Sequence, residues 1–257
     1  MIEVKKVMDM NRIDRSKALQ KKYFKTEIVK EDPGMQNIMA DYLYGEIYEH
    51  GALDFVSREL ITLAVMAAHN GGDLMKDHVQ ALLANGVSAL AIREAVYQAI
   101  PYAGILSVRA ALPYVQEALR ESGRETYEDA SQTSEEDRFV KGFEAQCSVF
   151  PREVIQGGHD QAPDDLKHMQ KFLSAHCFGD FYTRSGLTMK QRELLTFCVI
   201  ASLGGCENQL RAHAGANLTA GNDRSVLLEA ITQIQPYIGF PRTLNAINII
   251  REVTEKD

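Results

Sequence analysis

The chain repeats itself, and that duplication limits its fold more than any other feature. The segment "YGEIYEHGALDFVSRELITLAVMAA" from Tyr44 returns as "FGDFYTRSGLTMKQRELLTFCVIAS" from Phe178, at an offset of 134. The next segment, "HVQALLANGVSALAIREAVYQAIPYAGI" from His78, returns as "HAGANLTAGNDRSVLLEAITQIQPYIGF" from His213, at an offset of 135. In both copies His, Gly, Glu, Gln and Pro-Tyr-x-Gly keep their mutual spacing. Such self-similarity marks tandem copies of one supersecondary unit. The first unit spans residues 1–120 and the second 138–257. Residues 121–137, polar, acidic and without apolar periodicity, read as the linker and the entry to the next helix.

Each unit reads as all-α. "RELITLAVMAA" and "RELLTFCVIAS" are apolar runs that periodicity alone could assign to strands. Thr188 and Gln191 stand at capping-box spacing, and the Ala, Leu and Met content favours helix. Gly71-Gly72 and Gly204-Gly205 break the chain after these runs. A second helix carries His78 or His213 and stops at Asn85-Gly86 or Ala220-Gly221. A third starts near Ser88 or Asp223 and ends or kinks at Pro101 or Pro236, where an N–H is missing. Pro241 suits the first turn of a closing helix.

Cys206 and His213, at i and i+7, share one helix face. Cys206 follows a double glycine at the helix start, where the macrodipole and unpaired N–H groups favour a thiolate. Glu193 begins the preceding helix and could face the same cavity. Thiolate, imidazole and carboxylate would then form an acid–base relay around a nucleophile. The same cysteine and histidine also fit two core residues, since free cysteine is commonly buried and inert. Glu59 and His78 repeat Glu193 and His213, while Gly71 takes the cysteine position, so a second pocket could form there.

These two segments resemble the carboxymuconolactone decarboxylase family, whose superfamily includes the alkylhydroperoxidase (AhpD-like) proteins. The resemblance covers both repeats. It implies an all-helical AhpD-like fold, no cofactor, and a small-molecule substrate, either a peroxide or a lactone acid. It also implies homo-oligomers, here a trimer of two-repeat chains as a pseudo-hexamer. The AhpD-like members use a Glu, a CxxC and a His. Carried over, Glu193, Cys206 and His213 match, as catalytic residues for thiol-dependent peroxide reduction. Gln209 stands where the second cysteine belongs, so Cys147, Cys177, Cys198 or an external thiol would have to resolve the cycle. The decarboxylase members need no cysteine. For that chemistry Arg58 and Arg192 are candidate carboxylate cradles, and His78 and His213 candidate proton donors. A non-catalytic helical oligomer is the third alternative.

Composition narrows the rest. Net charge is −7 with no basic stripe, which disfavours nucleic acid, and the run "VKK" near the start reads as solvated surface. The longest apolar run, Ile61 to Ala68, is too short to span a membrane, and the N-terminus has no signal-peptide core. Four cysteines without a CxxC suggest free thiols and a cytoplasmic setting. The other histidines form no metal-ligand pattern, so no metal is expected. "GGHDQAPDD", Gly157 to Asp165, reads as a flexible loop leading to a cap at Asp164. Tyr102 and Tyr237 read as packing residues that could also line a pocket.

Overall fold

A computed structural model describes residues 10–24, 32–125 and 127–255, with Gln36 described by its backbone alone. The Val4–Lys6 run lies outside them. Among the described residues every regular element is helical.

The first repeat comprises α1 (Arg12–Tyr23), α2 (Pro33–Tyr42), α3 (Phe55–Ala68), α4 (Leu74–Ala84), α5 (Ala89–Tyr97), the short α6 (Ile100–Ala103) and α7 (Ile105–Glu121). The second comprises α8 (Arg138–Cys147), α9 (Arg152–Gln161), α10 (Lys167–Phe172), α11 (Met189–Leu203), α12 (Glu207–Thr219), α13 (Arg224–Ile238) and α14 (Phe240–Thr254). Helices α2 and α10 each run on into π-helical turns, Leu43–Ile47 and Leu173–Tyr182.

Local chemistry sets the helix starts. The Thr188 hydroxyl accepts from the Gln191 N–H, and the Gln191 side chain accepts from the Thr188 N–H, forming the capping box. Ser88 and Asp223 cap α5 and α13 through the Ala91 and Val226 N–H groups. The ambiguous apolar runs are α3 and α11. Arg58–Ala68 and Arg192–Ser202 are buried without a break, because these two helices form the centre of the molecule and have no solvent face. They pack on each other, and α13 packs on α3, so one hydrophobic core runs through both repeats. Leu63, wholly buried there, contributes roughly 1.5–3 kcal/mol.

The aromatic-Gly-acid motif has a steric origin. A Cβ on Gly45 would overlap the Arg12 carbonyl, and one on Gly179 the Arg138 carbonyl. Each glycine lets a π-helical turn press against α1 or α8.

Two expectations need correction. Gly157–Gln161 is the end of α9, not a loop. His159 pins that helix by bonding Ser174 Oγ at 2.9 Å and packing on Phe139 and Phe143. Asp164 caps nothing and pairs with Lys167. Nor does Pro236 end its helix. Helix α13 continues to Ile238, and the stop is the glycine of Pro-Tyr-x-Gly: Gly104 and Gly239 have φ of 82° and 79°.

Candidate active site

Helix α11 carries Glu193 in its second turn, and α12 carries His213. Gly204 and Gly205, with φ of 72° and 70°, make the tight reversal that lays the helices side by side. Glu193 Oε2 lies 2.8 Å from His213 Nδ1. Asn217 fixes the backbone on both sides, donating to the carbonyls of Glu193 (3.0 Å) and His213 (2.8 Å). With Nδ1–H given to the carboxylate, Nε2 is the free nitrogen and can take or deliver a proton. The first repeat holds the same pair, with Glu59 Oε2 2.7 Å from His78 Nδ1.

The surroundings of the two pairs differ. His213 sits in the wall of a cavity of about 430 Å³. Phe150 and Tyr102 present their edges or faces to its ring at 5.3 and 5.5 Å, and Cys177, Phe178 and Leu173 are part of the apolar lining. Among the described residues no Lys, Arg, Asp or Glu lines it. Glu193 Oε1 is buried without a partner. In the first repeat, Phe24 packs on His78 at 5.4 Å, and Tyr48 donates to the second oxygen of Glu59. Both members of that pair are wholly buried, and His78 Nε2 has no partner.

Each repeat supplies part of the other's site. Tyr102 reaches His213, and Tyr237 reaches His78. Neither candidate arginine is a cradle, which corrects that expectation. Arg192 bonds Gln98 at 2.8 Å and Glu94 at 3.0 Å, plus the carbonyls of Arg184 and Ser185. Arg58 bonds Gln233 and the carbonyls of His50 and Leu53. Both are turned inward, across the boundary between repeats. Burial is the largest influence on the Arg192 pKa and pulls it down, with Glu94 opposing.

The thiols are spread out. Cys206 is the N-cap of α12, half-buried against the core, and does not line the cavity; Gln209 and His213 do. Among the described residues Cys206 makes no hydrogen bond to Glu193 or His213. Cys177 is the cavity thiol, 3.7 Å from Tyr102 Oη, and burial pushes it up to about 12. Cys198 is core, and its pKa is raised by burial alone. All four cysteines are free.

Sequence reasoning did not single out Phe150 or Tyr182 for this site. A signal exists: Gln20-x-x-x-Phe24 recurs as Gln146-x-x-x-Phe150, and Tyr48 recurs as Tyr182. Among the described residues no cluster of three or more His, Cys, Asp or Glu could hold a metal ion. None of their helices is long and apolar enough to cross a membrane.

The sequence pattern of the carboxymuconolactone decarboxylase family matches residues 33–117 and 167–252, once in each repeat. A curated relative from Acinetobacter baylyi, described as 4-carboxymuconolactone decarboxylase, is 28% identical over 120 residues. That segment is 47% of this chain and 89% of the relative, so one repeat here corresponds to nearly the whole of that protein.

Proposed function

This chain belongs to the carboxymuconolactone decarboxylase family, and on that premise we propose that it is an enzyme working by acid–base chemistry at Glu193–His213. The observation that carries this is the 2.8 Å Glu193–His213 contact at the wall of an apolar cavity. The substrate is a small lactone acid whose carboxylate is borne on a saturated ring carbon joined to the lactone carbonyl directly or through a ring C=C bond, so that the electron pair left by CO₂ can enter the carbonyl π system. The C–C bond to the carboxylate breaks, CO₂ leaves, and the electron pair passes to the carbonyl as an enolate. Protonated His213 then delivers its Nε2 proton to carbon, and solvent restores that proton. Glu193 holds the imidazolium charge. A carboxylate set among Phe150, Phe178 and Leu173, with no cation in the wall, loses hydration, and its charge is better tolerated once dispersed.

The test is CO₂ release from a panel of unsaturated γ-lactone acids by the full chain and by His213→Gln. Turnover lost in the variant supports the proposal; release unaffected by it sinks it.

Thiol-dependent peroxide reduction is the second reading, favoured by one observation, a thiol (Cys177) in the cavity wall beside Tyr102. Its raised pKa leaves little thiolate at neutral pH. Cys206 would be the peroxide-reactive group of that alternative. The setting in either case is the cytoplasm, with reduced thiols. The assembly is a trimer of two-repeat chains. Ile105, Leu106, Phe240 and Leu244, exposed at the starts of α7 and α14, are apolar faces that such an assembly would cover.

A further inference from the structure

A line of hydrogen bonds runs from the buried core to the cavity. Arg192 Nη1 lies 2.8 Å from Gln98 Oε1, and Gln98 Nε2 lies 3.1 Å from Thr196 Oγ1. Thr196 Oγ1 is 2.8 Å from Tyr182 Oη, which is 2.8 Å from Tyr102 Oη. The donor inventory fixes the direction of its first two bonds. A guanidinium only donates, so Gln98 accepts through oxygen and donates through its amide. Thr196 accepts that hydrogen, and in the two hydroxyl–hydroxyl bonds beyond it either partner can donate. The arrangement that carries a hydrogen outward has Thr196 donating to Tyr182 and Tyr182 donating to Tyr102. Cys177, through its S–H, is a second donor to the Tyr102 oxygen. The Tyr102 hydrogen is thus left for the cavity, beside His213. Burial holds both phenols well above their ordinary pKa, so both keep their protons.

The first repeat contains the same parts with a different wiring. Arg58 bonds Gln233 at 3.1 Å, and Gln233 bonds Thr62 at 3.2 Å. There Tyr48 has turned to Glu59, and the Tyr237 hydroxyl lies beside Thr62 without a hydrogen bond of good geometry among the described residues.

We propose that Tyr102, contributed by the first repeat, donates its hydroxyl hydrogen to the oxyanion of a carbonyl substrate held against His213 in the second repeat. The ligand class is a carbonyl compound that passes through an enolate. A preorganised donor aimed at developing negative charge in a water-poor site is an effective way to stabilise it. The preceding bonds polarise the Tyr102 hydroxyl and strengthen that donation. This assignment rests on acid–base chemistry at His213.

The probe is 4-nitrophenol, a coloured phenolate that mimics an enolate oxygen and needs no turnover. Titrated against the full chain, its bound form should ionise at lower pH than the free phenol. Tyr102→Phe should weaken phenolate binding about tenfold or more and abolish that lowering, since hydrogen bonds to charged acceptors are the strong ones. Tyr182→Phe should weaken binding roughly two- to fivefold by removing the donor behind Tyr102. Tyr237→Phe, at the corresponding position of the other site, should bind as the unsubstituted chain does. Equal binding and ionisation in Tyr102→Phe overturns the proposal, as does an unsubstituted chain that binds no phenolate. If Tyr102→Phe does not fold, Tyr182→Phe decides, and a full lowering retained there overturns it. His213→Gln turnover on lactone acids is scored separately, so the two ideas fail separately.

Discussion

Tyr102 and His213 meet at nearly a right angle, their ring centroids 5.5 Å apart and their planes at 88°. One residue comes from each repeat, so the cavity wall is shared between them. Tyr237 and His78 stand in the reciprocal relation at 6.4 Å and 70°.

The two Glu–His pairs should respond differently to the same surgery. Glu193→Gln keeps the shape of the cavity but removes the charge behind His213, and turnover of a lactone acid should fall on the order of 10²-fold. In the first repeat, His78→Ala leaves Glu59 buried without its ring partner and should cost about 3 kcal/mol or more in urea unfolding. Unchanged turnover in the first variant would remove Glu193 from the mechanism.

Glu94 ties the repeats together. It bonds Arg192 at 3.0 Å and Arg184 at 2.8 Å, and both Glu94 and Arg192 are 1% exposed. Glu94→Ala strands a buried guanidinium and should lower stability by about 3–5 kcal/mol. Arg184, partly exposed, should cost less when replaced by Ala, about 1 kcal/mol. A urea midpoint unmoved in Glu94→Ala would show that the Arg192 site relaxes or hydrates.

The thiols separate the two chemistries. Native alkylation should reach Cys206 and Cys147 before Cys177 and Cys198, which are buried. Cys206→Ser should abolish thiol-dependent peroxide reduction if that is the activity. It should spare CO₂ release if Glu193 and His213 act without it. Peptide mass mapping after timed alkylation, with both turnover assays, checks this.

Stability should collapse in alkali. Burial raises Cys177 to about 12, and raises Tyr44, Tyr48, Tyr102, Tyr182 and Tyr237 well above the usual phenol range. In the unfolded chain thiols ionise near ~8.5 and phenols near ~10. Above these values the unfolded state has released protons that the folded state still holds, so stability falls as pH rises. The contribution is intact below about pH 8.5; the Cys177 part disappears towards about pH 12, and the phenol part falls away as pH rises above about 10. Tm should hold level to about pH 8 and then drop, together with phenolate absorbance. A Tm unchanged at about pH 11 would contradict the buried phenols.

Much of this arrangement was legible in the chain. The duplication, Thr188 with Gln191, and Ser88 and Asp223 are local signals, and the helices begin where those residues place them. Glu193 and His213 could be put on neighbouring helices by spacing alone, and the glycine turn brings them together. What spacing could not show was direction. Arg58 and Arg192 sit beside helix starts, as solvated arginines often do, yet each finds its glutamine in the opposite repeat. Tyr102 lies 111 positions before His213, and the packing of α6 on α11 makes them neighbours. Cys206 shares a helix with His213, but the N-cap lies beyond the stretch that faces the cavity.

Duplicated halves often serve as spares, one free to decay while the other keeps working. The crossing partners of Arg58, Arg192, Tyr102 and Tyr237 remove that freedom. A lesion at Gln98 or Tyr102 belongs to the first half by position but to the second by consequence. Neither half can therefore be discarded alone, because the His213 site draws Gln98 and Tyr102 from the first half.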